Sequence, residues 1–98
     1  MVKHVILWQL KEEHNTAEVK NGIKTSLEAL LGKIPGLLNM SVVIEKLPSS
    51  NADVMLDSAF SDEAALKAYA THLEHVAVAD NFVLPYTKTR MCMDFTVE

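Results

Sequence analysis

The order of apolar patterns along the chain constrains its fold more than any other feature of the sequence. In chain order the patterns are a strand at 2–11, a helix at 15–34, strands at 38–47 and 53–60, helices at 61–73 and 75–84, and a strand at 88–97. Right-handed crossovers close the order β-α-β-β-α-β into an antiparallel sheet with the helices on one face. We therefore predict an α+β, ferredoxin-like fold.

Capping and turn residues predict where the helices begin and end. Asn15, with Glu18 three residues later, is a suitable N-cap for the first helix, and Ser61 is one for the second. The segment IPG stops the first helical pattern at Ile34, and Pro85 stops the last one. The apolar repeat of the first helix, from Val19 to Ile34, is therefore expected to span about four turns.

The first and last strands carry apolar side chains on the sheet face that the helices leave bare. This face would hold Val5, Leu7, Met91, Met93 and Phe95. Such a pattern is expected only when something covers the second face of the sheet. The simplest cover is a second copy of the chain, packed face to face in a closed two-fold interface. We therefore predict a homodimer.

Size and composition bound the remaining possibilities. The 98 residues fit one domain, 1–98, and the net charge of −4 gives no attraction to nucleic acid or to anionic membrane surfaces. The single cysteine, Cys92, cannot form an internal disulfide. The chain lacks a signal-peptide core and any apolar run long enough to span a membrane. We expect a cytoplasmic protein with no nucleic-acid or membrane partner.

The segment AYATHLEHVAVAD contains Tyr69, His72 and His75 at three-residue intervals. At 100° per residue, Tyr69 and His75 lie well apart around one continuous helix. A break near residue 73 or 74 would let His75 turn inward, beside Tyr69. A neutral imidazole accepts a proton near pH 7 and a phenol polarises a carbonyl oxygen, so the pair suits acid-base chemistry.

Other interpretations of the same residues remain open. The histidines and the tyrosine can simply satisfy backbone groups at helix ends. His72 and His75, with Glu74 or Asp80, have a spacing that zinc can use, but the pattern arises often by chance and we predict no metal. Cys92 has no evident neighbouring base and fits a small buried hydrophobe. With no phosphate-binding glycine loop either, we predict no cofactor.

Four stretches of the sequence together resemble a known family. They are VKHVILWQLK (2–11), IPGL (34–37), DVMLDSAFSDEAALKAYATHLEHV (53–76) and RMCMDF (90–95). In this order they resemble the stress-responsive A/B barrel (Dabb) domains of the dimeric α/β-barrel superfamily. The resemblance covers essentially the whole chain and implies a homodimer whose two sheets form a barrel.

The resemblance also implies site residues. A plant polyketide cyclase of this family closes a linear polyketide by aldol condensation without a cofactor, and its Tyr-x-x-His-x-x-His segment is similar to that of this chain. Tyr69 and His75 fall at the catalytic positions of that segment, and His4 matches the histidine of its first strand. Along the cyclase's apolar tunnel, Leu27 replaces a tyrosine, and Lys24 and Arg90 replace apolar residues. The substrate is therefore expected to differ.

These observations lead to one predicted pocket between helices and sheet. Its predicted catalytic residues are His75 as base, Tyr69 as hydrogen-bond donor, and His4; its predicted substrate-binding residues are Ile6, Trp8, Met40, Leu56, Ser58, Val78, Arg90 and Cys92. The first hypothesis is a protein that binds, and acts on, a small carbonyl or polyketide-like compound without a cofactor. The alternatives are a non-catalytic, stress-responsive ligand-binding or structural protein, and a cofactor-free or haem-dependent oxygenase.

Overall fold

The computed structural model describes residues 1–97 and has the predicted order of elements. The strands are β1 (Val2–Leu10), β2 (Leu37–Val43), β3 (Val54–Phe60) and β4 (Thr87–Thr96), and the helices are α1 (Ala17–Glu28), α2 (Glu63–Thr71) and α3 (Leu73–Val78). A 3-10 turn (Glu12–His14) precedes α1, and a π-helical turn (Ala79–Val83) continues α3. The strands form one antiparallel sheet in the order β2-β3-β1-β4. The ferredoxin-like prediction is confirmed.

The core lies between the sheet and the helices. Alternate residues of β1 are buried, among them Ile6 and Trp8, because successive side chains of a strand point to opposite faces. They pack in one apolar cluster with Ile23 and Leu27 of α1 and with Phe60 of β3. Burying an aliphatic or aromatic side chain of this kind contributes about 1.5–3 kcal/mol. This cluster fixes the sheet face against which the functional side chains are placed.

Helix α1 begins and ends at different residues from those predicted. Its N-cap is Thr16, whose hydroxyl accepts a hydrogen bond from the Val19 N–H, whereas Asn15 ends the preceding 3-10 turn. The helix ends at Glu28 rather than near Ile34, and a turn with Gly32 at φ +92° follows. Ile34 is nevertheless buried, so the apolar spacing continued past the last helical residue.

Two further boundaries differ from the prediction. The N-cap of α2 is Asp62, which accepts a hydrogen bond from the Ala65 N–H, rather than Ser61. Strand β2 ends at Val43 rather than at residue 47, and its register shifts after Leu37, which leaves Leu38 exposed. Neither difference moves a strand or helix within the fold.

The sheet face opposite the helices is apolar and open in the single chain. Leu7 of β1 is 41% exposed, and Met91, Met93 and Phe95 of β4 are 72%, 65% and 44% exposed. Leu7 and Met91 are paired across β1 and β4, as are Val5 and Met93. These five residues, called the outer sheet face below, form contiguous apolar surface of the kind that marks an interface.

Within residues 1–97, no helix combines the length and the apolar composition needed to cross a bilayer.

Candidate active site

A cavity of about 890 Å³ lies between the helix-side face of the sheet and helices α2 and α3. Its volume falls within the range of typical small-molecule sites. The sheet contributes Val2, His4, Ile6, Trp8, Leu56, Arg90, Cys92, Asp94, Phe95 and Thr96, and the helical side contributes Leu27, Glu63, Ala64, Leu66, Lys67, Tyr69, Ala70, His75, Ala79, Val83 and Leu84. The wall is thus mainly apolar, with a small set of polar and charged side chains.

A break at His72 sets the orientation of the helix-side polar groups. His72 has an extended backbone (φ −65°, ψ 134°), which ends α2 and begins α3. Its Nδ1 accepts a hydrogen bond from the Glu74 N–H at 3.1 Å. The break therefore falls just before the predicted position, and His72 serves as the N-cap of the second helix.

The break brings the rings of Tyr69 and His75 together. Their centroids are 3.9 Å apart and their planes are inclined by 25°, so the rings stack. The contact is ring against ring, and it places His75 beside Tyr69 as expected from a break in the helix. The edge of the His4 ring approaches Tyr69 from the sheet, with centroids 6.1 Å apart. Three titratable rings thus line one cavity.

Burial holds both members of the stacked pair in their neutral forms. Burial lowers the pKa of His75, which the nearby carbonyls of Ala70 and Tyr69 partly offset. No partner meets hydrogen-bonding geometry with its buried Nδ1. Burial raises the pKa of the Tyr69 phenol well above its ordinary value, and the positive charge of Arg90 opposes this effect. Near pH 7 the imidazole can accept a proton while the phenol remains a donor.

His4 belongs to a second polar group on the sheet side. Its Nδ1 lies 2.5 Å from Oδ1 of Asp94, a carboxylate ninety positions away in the sequence. Sγ of Cys92 lies 3.4 Å from the same carboxylate oxygen and 3.7 Å from His4 Nδ1. Cys92 is exposed rather than the buried hydrophobe predicted; partial burial of its thiol, followed by the hydrogen bond and the negative charge of Asp94, raises its pKa. The thiol is therefore a weak nucleophile at neutral pH.

The same trio is the one set of three metal-ligand side chains that residues 1–97 bring together. The donor atoms of His4, Cys92 and Asp94 lie within 4.8 Å of one another. Two of them are already joined by the short His4–Asp94 hydrogen bond, and the third carries a thiol whose raised pKa disfavours the thiolate that a metal needs. The donor set therefore fits a hydrogen-bonded group better than a metal centre. His72 and His75 belong to no such set in the described chain.

Most of the predicted pocket residues reach the cavity wall. His4, Ile6, Trp8, Leu56, Tyr69, His75, Arg90 and Cys92 line it. Met40 and Val78 do not line it: Met40 is buried within the core, and Val78 packs against that core from α3. Ser58 does not line it either, because it is fully buried and its hydroxyl donates to the His4 carbonyl at 2.7 Å. Its role is to hold β1 against β3.

The sequence analysis missed Asp94 as a site residue. The sequence did contain a signal for it: Arg90, Cys92 and Asp94 are spaced two residues apart, so all three lie on one face of β4. Glu63 and Lys67, one helical turn apart on α2, were missed as well. The proximity of Asp94 to His4 depends on the β1–β4 register, in which these two residues are paired.

Comparison with known proteins shows the family. The model of the stress responsive A/B barrel domain matches residues 2–97. A dimeric protein of unknown function with a ferredoxin-like fold from Bacteroides fragilis is similar in structure, with a TM-score of 0.88 and 31% identity over 98% of this chain and 95% of its own. Comparison with curated protein sequences finds no match.

Two enzymes are similar in fold at lower identity. Hydroxynitrile lyase from Passiflora edulis has a TM-score of 0.83 at 13% identity, over 99% of this chain and 93% of its own. SnoaB, a cofactor-independent oxygenase from Streptomyces nogalater, has a TM-score of 0.77 at 12% identity, over 99% and 92%. At such identities the likeness concerns the fold alone. The match over residues 2–97 is what decides the family, and the chain belongs to the stress responsive A/B barrel domain family.

Proposed function

We propose that the protein binds a small carbonyl or polyketide-like compound and acts on it by acid-base chemistry without a cofactor. The observation that carries this proposal is the stacked Tyr69–His75 pair at the wall of a mainly apolar cavity, with His4 close by. Polar groups in an apolar site are costly unless they are paired or have a ligand to bind.

The proposed step is removal of a proton from the carbon beside a carbonyl group. The neutral imidazole of His75 takes the proton, and the electrons of the broken C–H bond form an enolate. The Tyr69 hydroxyl donates a hydrogen bond to the developing negative oxygen, which its raised pKa allows because the phenol stays protonated. The enolate carbon can then attack a second carbonyl, whose alkoxide recovers the proton from His75.

His4 is proposed as a further polar contact for the substrate. Its hydrogen bond to Asp94 fixes the orientation of the ring, in the same way that second-shell carboxylates orient functional histidines. The apolar floor formed by Ile6, Trp8 and Leu56 would hold the carbon skeleton, and Cys92 would add a small, weakly polar wall.

The working form is proposed to be a cytoplasmic homodimer of single domains. The similar protein from Bacteroides fragilis is dimeric, and the open outer sheet face of this chain is apolar. The net charge of −4 supports the further proposal that neither nucleic acid nor a membrane is a partner.

A non-catalytic ligand-binding role is the second candidate. It is favoured by His72, which caps α3 and so uses one histidine of the segment for a structural purpose. In that case the cavity would hold a ligand without changing it.

Exchange of carbon-bound protons tests the catalytic proposal before the natural substrate is identified. The protein is incubated in heavy water with acetophenone, and loss of the methyl proton signal is followed by nuclear magnetic resonance. The proposal predicts exchange above the buffer rate, which His75→Ala lowers by about 10²–10⁴-fold. Tyr69→Phe should cost less, since it removes one hydrogen bond to the enolate oxygen and leaves the base in place.

The matched control is His14→Ala, which removes a histidine that lies outside the cavity and contacts Tyr86. This variant should exchange at the native rate. Exchange that survives His75→Ala in a folded dimer would rule out His75 as the base. Acetophenone that binds without any enhanced exchange would favour the non-catalytic candidate.

A further inference from the structure

Among residues 1–97, Arg90 lines the cavity without forming an ion pair with a carboxylate. The ion pairs among residues 1–97 are Lys3–Asp57, His4–Asp94, Lys24–Glu28 and Lys46–Asp53. None of them includes Arg90, although Arg90 lines the cavity and lies on the same strand face as Asp94. Asp94 is engaged instead by His4 and Cys92. The guanidinium has the Cys92 thiol as a polar neighbour and keeps further N–H donors with which to bind an anion.

The position of Arg90 links this positive charge to the stacked pair. Arg90 is paired with Trp8 in the sheet, so its side chain emerges above the apolar floor of the cavity. Its positive charge acts on the titration of both Tyr69 and His75, and it contributes to lowering the pKa of His75. An anion held by Arg90 would consequently sit within electrostatic range of the proposed base and donor.

The other charged groups at the cavity come from α2. Glu63 and Lys67 are one helical turn apart and both line the wall. Their opposite charges offset each other, so the helix side adds no strong net charge to the site. On the sheet side, the Asp94 carboxylate is hydrogen-bonded to His4, and Arg90 is the cation of the lining that faces the apolar floor. A guanidinium is also the group that recognises a carboxylate through two parallel hydrogen bonds.

We propose that Arg90 anchors a carboxylate group of the substrate, so that the ligand is an anionic carbonyl compound with an apolar body. This inference rests on the proposed function for the carbonyl group, but the anchor itself concerns binding. The carboxylate binds the guanidinium, the apolar body covers Trp8, and the carbonyl group extends toward Tyr69 and His75.

Matched probes test the anchor directly. Benzoylpropionate is an aryl ketone with a carboxylate, and benzoylpropionamide has the same skeleton without the charge. By isothermal titration calorimetry the native protein should bind the carboxylate about tenfold more tightly than the amide, as expected for a charge-assisted hydrogen-bonded contact. Arg90→Gln should remove this preference and leave the affinity for the amide unchanged. Arg90→Lys should retain part of it, because lysine keeps the charge and loses the bidentate geometry.

Two lysine variants serve as charge-matched controls. Lys67→Gln removes the other cavity cation, and Lys88→Gln removes a cation of β4 that lies outside the cavity lining. Both should keep the preference for the carboxylate. Equal affinity of the native protein for the two probes, no detectable binding of either, or loss of the preference in Lys67→Gln but not in Arg90→Gln would overturn the assignment.

The same titrations in His75→Ala separate the anchor from the proposed chemistry. The preference for benzoylpropionate should persist in this variant, since His75 is not part of the anchor. A preference for the carboxylate without proton exchange in the native protein would leave the anchor standing and remove the catalytic proposal. Proton exchange without a preference for the carboxylate would support the catalytic proposal and rule out the anchor at Arg90.

Discussion

The imidazole of His75 lies flat against the phenol ring of Tyr69, with 3.9 Å between ring centroids, although α2 ends between the two residues. On one unbroken helix, six residues at 100° each would place the two side chains about 120° apart around the axis. The extended backbone of His72 removes this separation. A break at one residue thereby brings the buried Tyr69 ring and the half-buried His75 ring into contact.

Burial of His75 predicts a specific loss of stability in mild acid. Burial lowers the pKa of the imidazole in the folded protein below its ordinary value of 6.5, so the unfolded chain binds the proton more readily. The contribution is fully present above about pH 6.5 and is lost as the pH falls toward the lowered folded value. Urea unfolding midpoints should therefore drop between about pH 7.5 and pH 5.5, and His75→Gln should reduce that drop.

The carboxylates with shifted pKa values do not contribute to the change of the unfolding midpoint in this pH range. The pKa values of Glu28 and Asp53 are lowered from 4.5 and 3.8, so these groups stay ionised throughout the window. His14→Gln provides the matched control and should follow the native pH dependence. A His75→Gln variant with an unchanged pH dependence would show that the imidazole is not buried in its neutral form.

Much of the fold could be predicted because strand alternation and helix spacing are local properties of the sequence. The helix ends were less predictable, since neighbouring residues offered equivalent caps. Asn15 and Thr16 are both good N-caps, as are Ser61 and Asp62, and only the course of the backbone selects one of each pair. The end of α1 was predicted too late because the apolar spacing continues through Ile34. Residues of a turn can be buried at intervals similar to those of a helix.

The candidate site was only partly predictable for a different reason. Tyr69 and His75 lie in one short segment, whereas the contact of His4 with Asp94 depends on the pairing of the two ends of the chain. No local pattern encodes that distance. Met40 and Ser58 illustrate the converse error: each is buried on a strand, and strand alternation does not say whether a buried side chain meets a cavity or the packed core.

Substitution of Gly36 is predicted to be more destabilising than substitution of Gly32, a difference that the sequence alone does not indicate. Both have a left-handed backbone, with φ of +80° and +92°. A Cβ on Gly36 would lie 2.5 Å from Cβ of Ala65 and 3.0 Å from Oγ of Ser61, whereas a Cβ on Gly32 would meet nothing within 4 Å. Gly32→Ala should cost about 1 kcal/mol for the backbone conformation, and Gly36→Ala should cost at least about 1 kcal/mol more. Urea unfolding measures both, and equal losses would contradict the close approach of α2 to the turn.

The protein is predicted to carry no stoichiometric metal. The His4–Asp94 hydrogen bond would have to open, and the Cys92 thiol would have to lose a proton against its raised pKa, before the three could bind zinc. Elemental analysis of purified protein, before and after dialysis against zinc, should find far less than one ion per chain. About one retained zinc per chain, lost in Asp94→Asn, would establish a metal centre at this trio.

Dimer formation is predicted to depend on the outer sheet face. Met93 is 65% exposed in the single chain and pairs in the sheet with Val5, near the middle of that face. Met93→Asp would place an unpaired charge in the proposed interface, a change that costs several kcal/mol when the charge is buried. Sedimentation velocity should then show monomer or aggregate in place of the dimer, with a lower and concentration-dependent unfolding midpoint. Asn21→Asp adds the same charge at an exposed position of α1 on the helical side and should leave the dimer intact. An intact, normally stable Met93→Asp dimer would place the interface elsewhere.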